Sequence, residues 1–250
     1  MGCCRVRHLK LTIAYDGSNY NGFQRQKNAV GIQQILEEAL GKIFGEKVRV
    51  AASGRTDTGV HALGQVVSFA TSGTVPTERI AKALARYLPE DIVVRKAEEV
   101  PPTFNARFSA IAKRYEYRLL VTSEPDPFKR KHTWQIKSMP DIKAMQQAAD
   151  LLVGKHDFSA FRSAGSATVN TMKNIYCAKW SRYGEAEICF TIEGDGFLYH
   201  MVRNMVGAMV RVGSGKITVQ RFREILEIGD RRLAGTAAPP QGLYLVEVFY

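Results

Sequence analysis

The chain has 250 residues, of which 45% are hydrophobic, so it suits one large folded domain or two of ordinary size. Lysine and arginine number 35 against 24 aspartates and glutamates, which gives a formal net charge of +11. This excess favours a polyanionic partner, nucleic acid ahead of an acidic membrane surface, since no basic amphipathic helix stands out. The charge alone leaves a merely solvated basic surface as an alternative.

The four cysteines, Cys3, Cys4, Cys177 and Cys189, lack the spacing of zinc ligands, so we expect no metal site. The longest apolar stretch, 197–212, is interrupted by charged residues and is not expected to span a bilayer. The chain begins without an apolar secretory segment, and Val6 stands where a myristoylation signal needs serine or threonine. We therefore expect a reduced, cytoplasmic compartment.

Predicted strands and helices alternate over the first hundred residues. Leu9, Leu11, Ile13 and Tyr15 recur at every second position, which predicts a half-buried strand closed by a turn at 16–17. Apolar residues at helical spacing predict a helix over 32–43. The other elements predicted in this half are strands at 48–52, 65–69 and 91–95 and a helix at 77–88.

The second half repeats this arrangement. Alternation over 114–121 predicts a strand with Tyr115 and Tyr117 on one face, and 175–181 with 186–193 predicts a hairpin. The other predicted elements are helices at 141–152 (ending at Gly154), 197–210 and 221–228 and a strand at 243–249. The sequence therefore predicts an α+β protein. Its two similar ferredoxin-like or RRM-like halves, 1–108 and 109–250, are expected to share either a mostly antiparallel continuous sheet with a central basic cleft or a tight interface.

The segment 54–62, Gly-Arg-Thr-Asp-Thr-Gly-Val-His-Ala, holds the first candidate for chemistry. Glycines on both sides of Asp57 suit unusual backbone dihedrals or close approach by another molecule. An arbitrary Asp-x-Gly is most often a turn. Here Arg55 and His61 flank the acid, and predicted strands enter and leave the segment, as they do around many catalytic loops. Asp57 is therefore a candidate nucleophile or general base.

The triplet Asp57-Thr58-Gly59 also occurs in aspartic proteases, which gives an alternative function. Those enzymes need two carboxylates sharing a proton. The chain has no second Asp-Thr-Gly or Asp-Ser-Gly, so only a symmetric dimer could supply the partner. The charge of +11 gives a protease no obvious benefit.

Two residues of the second half are further candidates. Arg203 lies on a helix whose other face is largely apolar, so it is either a snorkelling rim residue or a partly buried cation that needs a carboxylate. Asp57 could be that carboxylate. Tyr115, beside Lys113 and Arg114, is either a core residue or a ring that stacks on a nucleobase.

Several motifs occur together in one order along nearly the whole chain. They are Tyr15-Asp16-Gly17, Gly22-Phe23-Gln24-Arg25-Gln26, the segment 54–61, Arg107-Phe108-Ser109-Ala110 with Arg114-Tyr115, and His200-Met201-Val202-Arg203-Asn204. In these motifs the chain resembles the tRNA pseudouridine synthase A family. The main variation is Thr58, where many members carry a small residue such as alanine.

The resemblance implies an isomerase that converts uridine to pseudouridine at positions 38, 39 and 40 of the tRNA anticodon stem-loop. It implies a homodimer that uses no metal and no cofactor. By similarity, Asp57 is the single catalytic carboxylate, Tyr115 packs against the flipped uracil or takes its C5 proton, and Arg203 pairs with Asp57. Arg55 and His61 are expected to hold the displaced nucleotide.

A tRNA-binding protein of the same fold that has lost activity is the third alternative. The presence of Asp57, Tyr115 and Arg203 together argues against it.

Overall fold

A computed structural model describes residues 6–165 and 170–250, which divide into two compact units. The first unit contains the described residues up to Ile111 together with Leu245–Tyr250, and the second is Ala112–Tyr244. The predicted domains, 1–108 and 109–250, stay a prediction, because compactness alone does not show which segments fold independently. Cys3 and Cys4 lie outside the described residues.

The first unit follows the predicted alternation of strands and helices. Its strand β1 alternates as expected, with Leu9, Leu11 and Ile13 fully buried and Tyr15 only 4% exposed. Helix α1 turns Ile32, Leu36 and Leu40 into the core. The elements are β1 (Arg7–Tyr15), α1 (Ile32–Phe44), β2 (Ala51–Ala52), β3 (His61–Thr71), α2 (Thr77–Leu84) and β4 (Ile92–Glu99).

The second unit contains the remaining elements. They are β5 (Ala112–Val121), β6 (Trp134–Ile136), α3 (Ile142–Asp150), β7 (Gly154–Asp157), β8 (Met172–Tyr183), β9 (Glu187–Gly194), α4 (Met201–Gly213) and α5 (Val219–Ile228). The last strand, β10 (Leu243–Phe249), has its residues from Leu245 onward in the first unit. Helix α4 is the buried helix that the sequence predicted, and Met205, Val206 and Met209 have no exposed surface.

Each unit is built on a sheet with helices. The first unit has the strand order β4-β1-β3-β10, with β2 paired to β3, and β1 is antiparallel to both of its neighbours. The second unit has the order β5-β9-β8-β7, with antiparallel pairs along the path and β6 parallel to β5. The predicted α+β class is therefore confirmed.

Several predicted element bounds were wrong because tertiary contacts override the local pattern. Strand β2 is shorter than the predicted 48–52, because the Val50 N–H donates to the Glu37 carboxylate (3.2 Å) and not to a strand. Helix α4 begins at Met201, not at 197, because His200 adopts a left-handed conformation (φ 60°) that the helix cannot continue through. Helix α2 ends at Leu84, four residues early.

Two short strands, β6 and β7, were not predicted. Gly154 opens β7 with φ +104° and does not end helix α3, whose last helical residue is Asp150. Both strands are three or four residues long, too short for a periodic pattern to identify them. Within the described residues, no helix combines the length and hydropathy needed to cross a membrane.

The two cysteines that the structure describes should differ in reactivity. Cys177 is exposed on β8, whereas burial, reinforced by Glu116, raises the pKa of the Cys189 thiol to about 11. Because thiolate is the reactive form, Cys189 stays a neutral thiol until the pH approaches that value. We expect iodoacetamide at pH 8 to alkylate Cys177 at least about 100-fold faster than Cys189 in folded protein, by peptide mass spectrometry. Similar rates before unfolding, with equal rates in urea, would contradict the burial of Cys189.

Candidate active site

The Asp57 loop connects β2 to β3 in the first unit. These strands pair antiparallel through Ala51 with Ser68 and Ala52 with Val67, so residues 53–60 form a loop supported by a sheet at both ends. The side chains of the loop divide into anchors and presented groups. Ser53, Thr56 and Val60 are buried, Arg55 and Thr58 are exposed, and Asp57 is half-buried. The Asp57 carboxylate is therefore accessible on a loop whose neighbouring residues are anchored in the interior.

Buried polar groups fix the shape of this loop. Gln65, with no exposed surface, accepts a hydrogen bond from the Ser53 hydroxyl (2.6 Å) and donates to the Gly54 carbonyl (3.0 Å). The Tyr15 hydroxyl bonds to the Thr56 hydroxyl at 2.8 Å. Burial raises the pKa of Tyr15 to about 12, so its phenol stays neutral and keeps its proton for hydrogen bonding. Buried hydrogen bonds of this kind are costly to leave unmade, so they hold the backbone on both sides of Asp57 in place.

A second loop, residues 16–24, packs against the Asp57 loop. The Phe23 N–H donates to the Thr56 carbonyl at 3.0 Å. A Cβ on Gly22, whose φ is +78°, would lie 2.7 Å from the same carbonyl oxygen. A Cβ on Gly17 would lie 2.0 Å from the Val60 carbonyl oxygen. The two backbones can approach this closely only because glycine occupies both positions.

His61 connects the same two loops from a buried position. It is 2% exposed, and its Nδ1 lies 3.1 Å from both the Gly17 nitrogen and an Asp16 carboxylate oxygen. One nitrogen cannot accept a hydrogen bond from the Gly17 N–H and donate a hydrogen bond to the Asp16 carboxylate at the same time. We assign the bond from the Gly17 N–H, because that carboxylate oxygen already accepts bonds from the Ser18 backbone (2.9 Å) and hydroxyl (2.6 Å). His61 thus ties the loop at residues 16–24 to the start of β3.

Tyr115 and Arg203 lie in the second unit. Tyr115 is 8% exposed on β5 and packs edge-on against Phe197, with ring centroids 5.0 Å apart. Arg203 is half-buried in the first turn of α4, and its Nε donates to the Ala238 carbonyl at 2.8 Å. The Ala238 N–H returns a bond to the Arg203 carbonyl at 2.9 Å. These two hydrogen bonds between Arg203 and Ala238 hold the Nε end of the guanidinium in place.

The segment 238–239 links the tyrosine face of β5 to α4. Next to Ala238, the Pro239 carbonyl accepts the Tyr117 hydroxyl at 2.7 Å, and Tyr117 shares its face of β5 with Tyr115. Burial raises the pKa of Tyr117 well above its usual value, and the nearby positive charge of Arg203 opposes this shift. Arg203 thus lies close enough to Tyr117 on β5 for its charge to act on the Tyr117 hydroxyl.

The structure thus places three predicted site residues, Arg55, Asp57 and His61, in or beside one loop, although Arg55 faces solvent and His61 is buried. Sequence reasoning missed Gln65 and the hydroxyl of Tyr15 as supports of that loop. Tyr15 and Gly22 lay within the motifs quoted above, but Gln65 read only as the start of a strand. No pattern in the sequence marked it.

The chain matches a known family over most of its length. A family model described as tRNA pseudouridine synthase matches residues 11–109 and 148–250, which identifies the class of protein as an RNA-modifying isomerase. Relatives named tRNA pseudouridine synthase A, from Acetivibrio thermocellus and Thermoanaerobacter pseudethanolicus, are each 44% identical over 245 residues. These alignments cover 98% of this chain and 100% of each relative.

A further relative of that name, from Geotalea daltonii, is 41% identical over the same share of both chains. The chain belongs to the tRNA pseudouridine synthase family. Its resemblance to this family, stated above from the motifs, is thereby confirmed. It is accordingly an enzyme that isomerises uridine to pseudouridine in tRNA.

Proposed function

We propose that the chain modifies uridines 38, 39 and 40 of the tRNA anticodon stem-loop, with Asp57 as its single catalytic carboxylate. The observation that carries this proposal is the half-buried Asp57 on a loop held by the buried Gln65 and Tyr15. A preorganised group of this kind can be aimed at a reacting centre without reorganisation during the reaction.

The reaction needs one carboxylate and adds or removes no atoms overall. The bond from N1 of uracil to C1′ of the ribose breaks, the base turns, and a bond from C5 to C1′ forms. The proton on C5 is lost, and N1 gains one. Three roles are chemically open to the Asp57 carboxylate: attack on the sugar, attack on the ring, and proton acceptance.

The other predicted site residues take supporting roles in this proposal. Tyr115, its ring braced by Phe197, packs against the flipped uracil or takes the C5 proton. In this proposal Arg203, oriented by the Ala238 carbonyl, pairs with Asp57 and orients its carboxylate. The exposure of Arg55 suits contact with the displaced nucleotide, whereas the burial of His61 suits positioning of the loop for that nucleotide.

The same proposal includes base flipping, a homodimer and a cytoplasmic location. A uridine within a stem cannot present C1′ and C5 to a carboxylate without leaving the stack, so flipping follows from the chemistry. The homodimer and the location are carried by the resemblance stated above. The aspartic protease alternative is set aside, because the family accounts for the Asp57-Thr58-Gly59 triplet without a second acid.

Tritium release tests the activity and its site together. Transcribed tRNA carrying [5-³H]uridine should release tritium to water with wild-type protein, and chemical mapping should place pseudouridine at positions 38, 39 and 40. A transcript with cytidine at those three positions is the control and should release none. If the protein binds tRNA and releases no tritium, the alternative of an inactive tRNA-binding protein is correct. Release with modification elsewhere would overturn only the assigned positions.

A further inference from the structure

The turn between β5 and β6 presents an aromatic ring to solvent. Phe128 is 90% exposed, the most exposed large apolar side chain among the residues that the structure describes. Hydrogen bonds within the chain shape the turn around it. One Asp126 carboxylate oxygen accepts the backbone N–H groups of Phe128 (2.8 Å) and Lys129 (3.3 Å).

Further hydrogen bonds clamp the ends of this turn. The Gln135 side chain both accepts the Asp126 N–H (3.0 Å) and donates to the Asp126 carbonyl (2.7 Å). Farther along, the Lys129 carbonyl accepts the N–H and the hydroxyl of Thr133, each at 3.0 Å. The exposure of Phe128 is therefore a property of a built turn and not of a loosely tethered loop. The backbone that carries the ring is therefore already ordered before a partner binds, which lowers the entropy cost of binding.

Cations follow Phe128 directly in the sequence. Lys129 is bound to the carboxylate of Glu187, an ion pair that raises the pKa of Lys129. That pair offsets one positive charge within the turn. Arg130 and Lys131 are both exposed, and the Arg130 guanidinium donates to the Pro127 carbonyl. The bond to Pro127 holds Arg130 within the turn that carries the exposed ring.

We propose that Phe128, with Arg130 and Lys131, forms an RNA-stacking platform, on which a nucleobase of the tRNA stacks while the two cations contact phosphates. An aromatic face beside cations is the combination that binds unpaired bases irrespective of sequence. Arg130 and Lys131 beside the ring favour RNA over a second copy of this chain as the occupant of this surface, because phosphates would pair with both cations. This inference rests on the proposed function in one respect: it takes the RNA that binds the platform to be the tRNA substrate.

Variants of Phe128 test stacking through the equilibrium binding of tRNA to the full-length chain. Phe128→Ala should weaken tRNA binding by about 5- to 100-fold, because base-aromatic stacking is lost. Phe128→Leu should weaken it to a similar degree, and Phe128→Tyr should restore it, since tyrosine keeps the aromatic face. Ile228→Ala is the matched control, an apolar side chain 59% exposed in the same unit beside Glu227, and should bind normally. Full affinity in Phe128→Ala or in Phe128→Leu would overturn the stacking role.

The salt dependence of binding tests the cations. Arg130→Gln should reduce the slope of log affinity against log salt by about 1, the value for one phosphate contact. Arg232→Gln is the charge-matched control, because the Arg232 guanidinium already donates to both carboxylate oxygens of Asp230. It should leave the slope unchanged. Equal slopes for wild type and Arg130→Gln would remove Arg130 from the platform.

The binding readout separates this inference from the proposed function. Binding that depends on Phe128 in a protein that releases no tritium would contradict the activity and support the platform. Normal tritium release together with tRNA binding that does not depend on Phe128 would support the activity and contradict the platform. Sedimentation of wild type and Phe128→Ala gives the last comparison. If the variant loses a dimer while its subunits bind tRNA normally, the ring belongs to a subunit contact and the proposal fails.

Discussion

Asp57→Asn is expected to bind tRNA normally, whereas its turnover should fall by roughly 10⁴-fold or more. Losses of this size are typical of enzymes that lose a catalytic nucleophile or general base. Asparagine keeps the size and shape of the side chain but carries no negative charge. It can neither attack carbon nor accept a proton in the transition state. The loop should keep its shape, because hydrogen bonds of Ser53, Thr56 and Gln65 anchor it. Single-turnover tritium release measures the chemistry, and filter binding measures the affinity.

Asp230→Asn provides a matched control for this result. It makes the same chemical change at a carboxylate in the second unit, where Asp230 forms an ion pair with Arg232. We expect wild-type turnover from it. Turnover of Asp57→Asn within tenfold of wild type would contradict a catalytic role. A variant that lost tRNA binding and thermal stability together with activity would identify Asp57 as a turn residue of structural importance.

The fold was predictable where a periodic pattern decides the structure. Helix α1 begins at Ile32 as the spacing predicts, and β10 covers 243–249 as predicted, because each buries one continuous apolar face. Prediction failed where a side chain from elsewhere competes for the backbone. The pattern predicts Val50 to lie in a strand, but the Glu37 carboxylate accepts the hydrogen bond from its backbone N–H. The left-handed His200 likewise has no signal in its neighbours.

The candidate site divides in the same way. Asp57 was identifiable because a polar segment between glycines suits neither strand nor helix. The environment of His61 was not identifiable, because its hydrogen-bond donor Gly17 lies 44 residues earlier in the chain. Tyr15 read correctly as a buried strand position, but only the folded structure brings its hydroxyl to Thr56. Positions of supporting groups depend on tertiary approach, and no local pattern encodes that approach.

Gly22→Ala should damage turnover because it separates the two loops of the first unit. At φ +78° an alanine is strained by about 1–2 kcal/mol, and its Cβ would meet the Thr56 carbonyl at 2.7 Å. Relief of that contact requires the backbone next to Asp57 to move. Displacement of a catalytic group by about 1 Å can cost roughly 100-fold in rate, and we expect a loss of that order. Turnover with saturating tRNA, compared with urea denaturation, measures the two effects separately.

Gly45→Ala is the control that isolates the contact from the strain. Gly45 has a similar φ of +69° at the end of α1, but a Cβ there would have nothing within 4 Å. It should lose about 1–2 kcal/mol of stability from the backbone alone and keep wild-type turnover. Because both variants carry the same strain, any excess loss of turnover in Gly22→Ala reports the Thr56 contact. Equal turnover in the two variants would show that the close approach of Gly22 to Thr56 does not position Asp57.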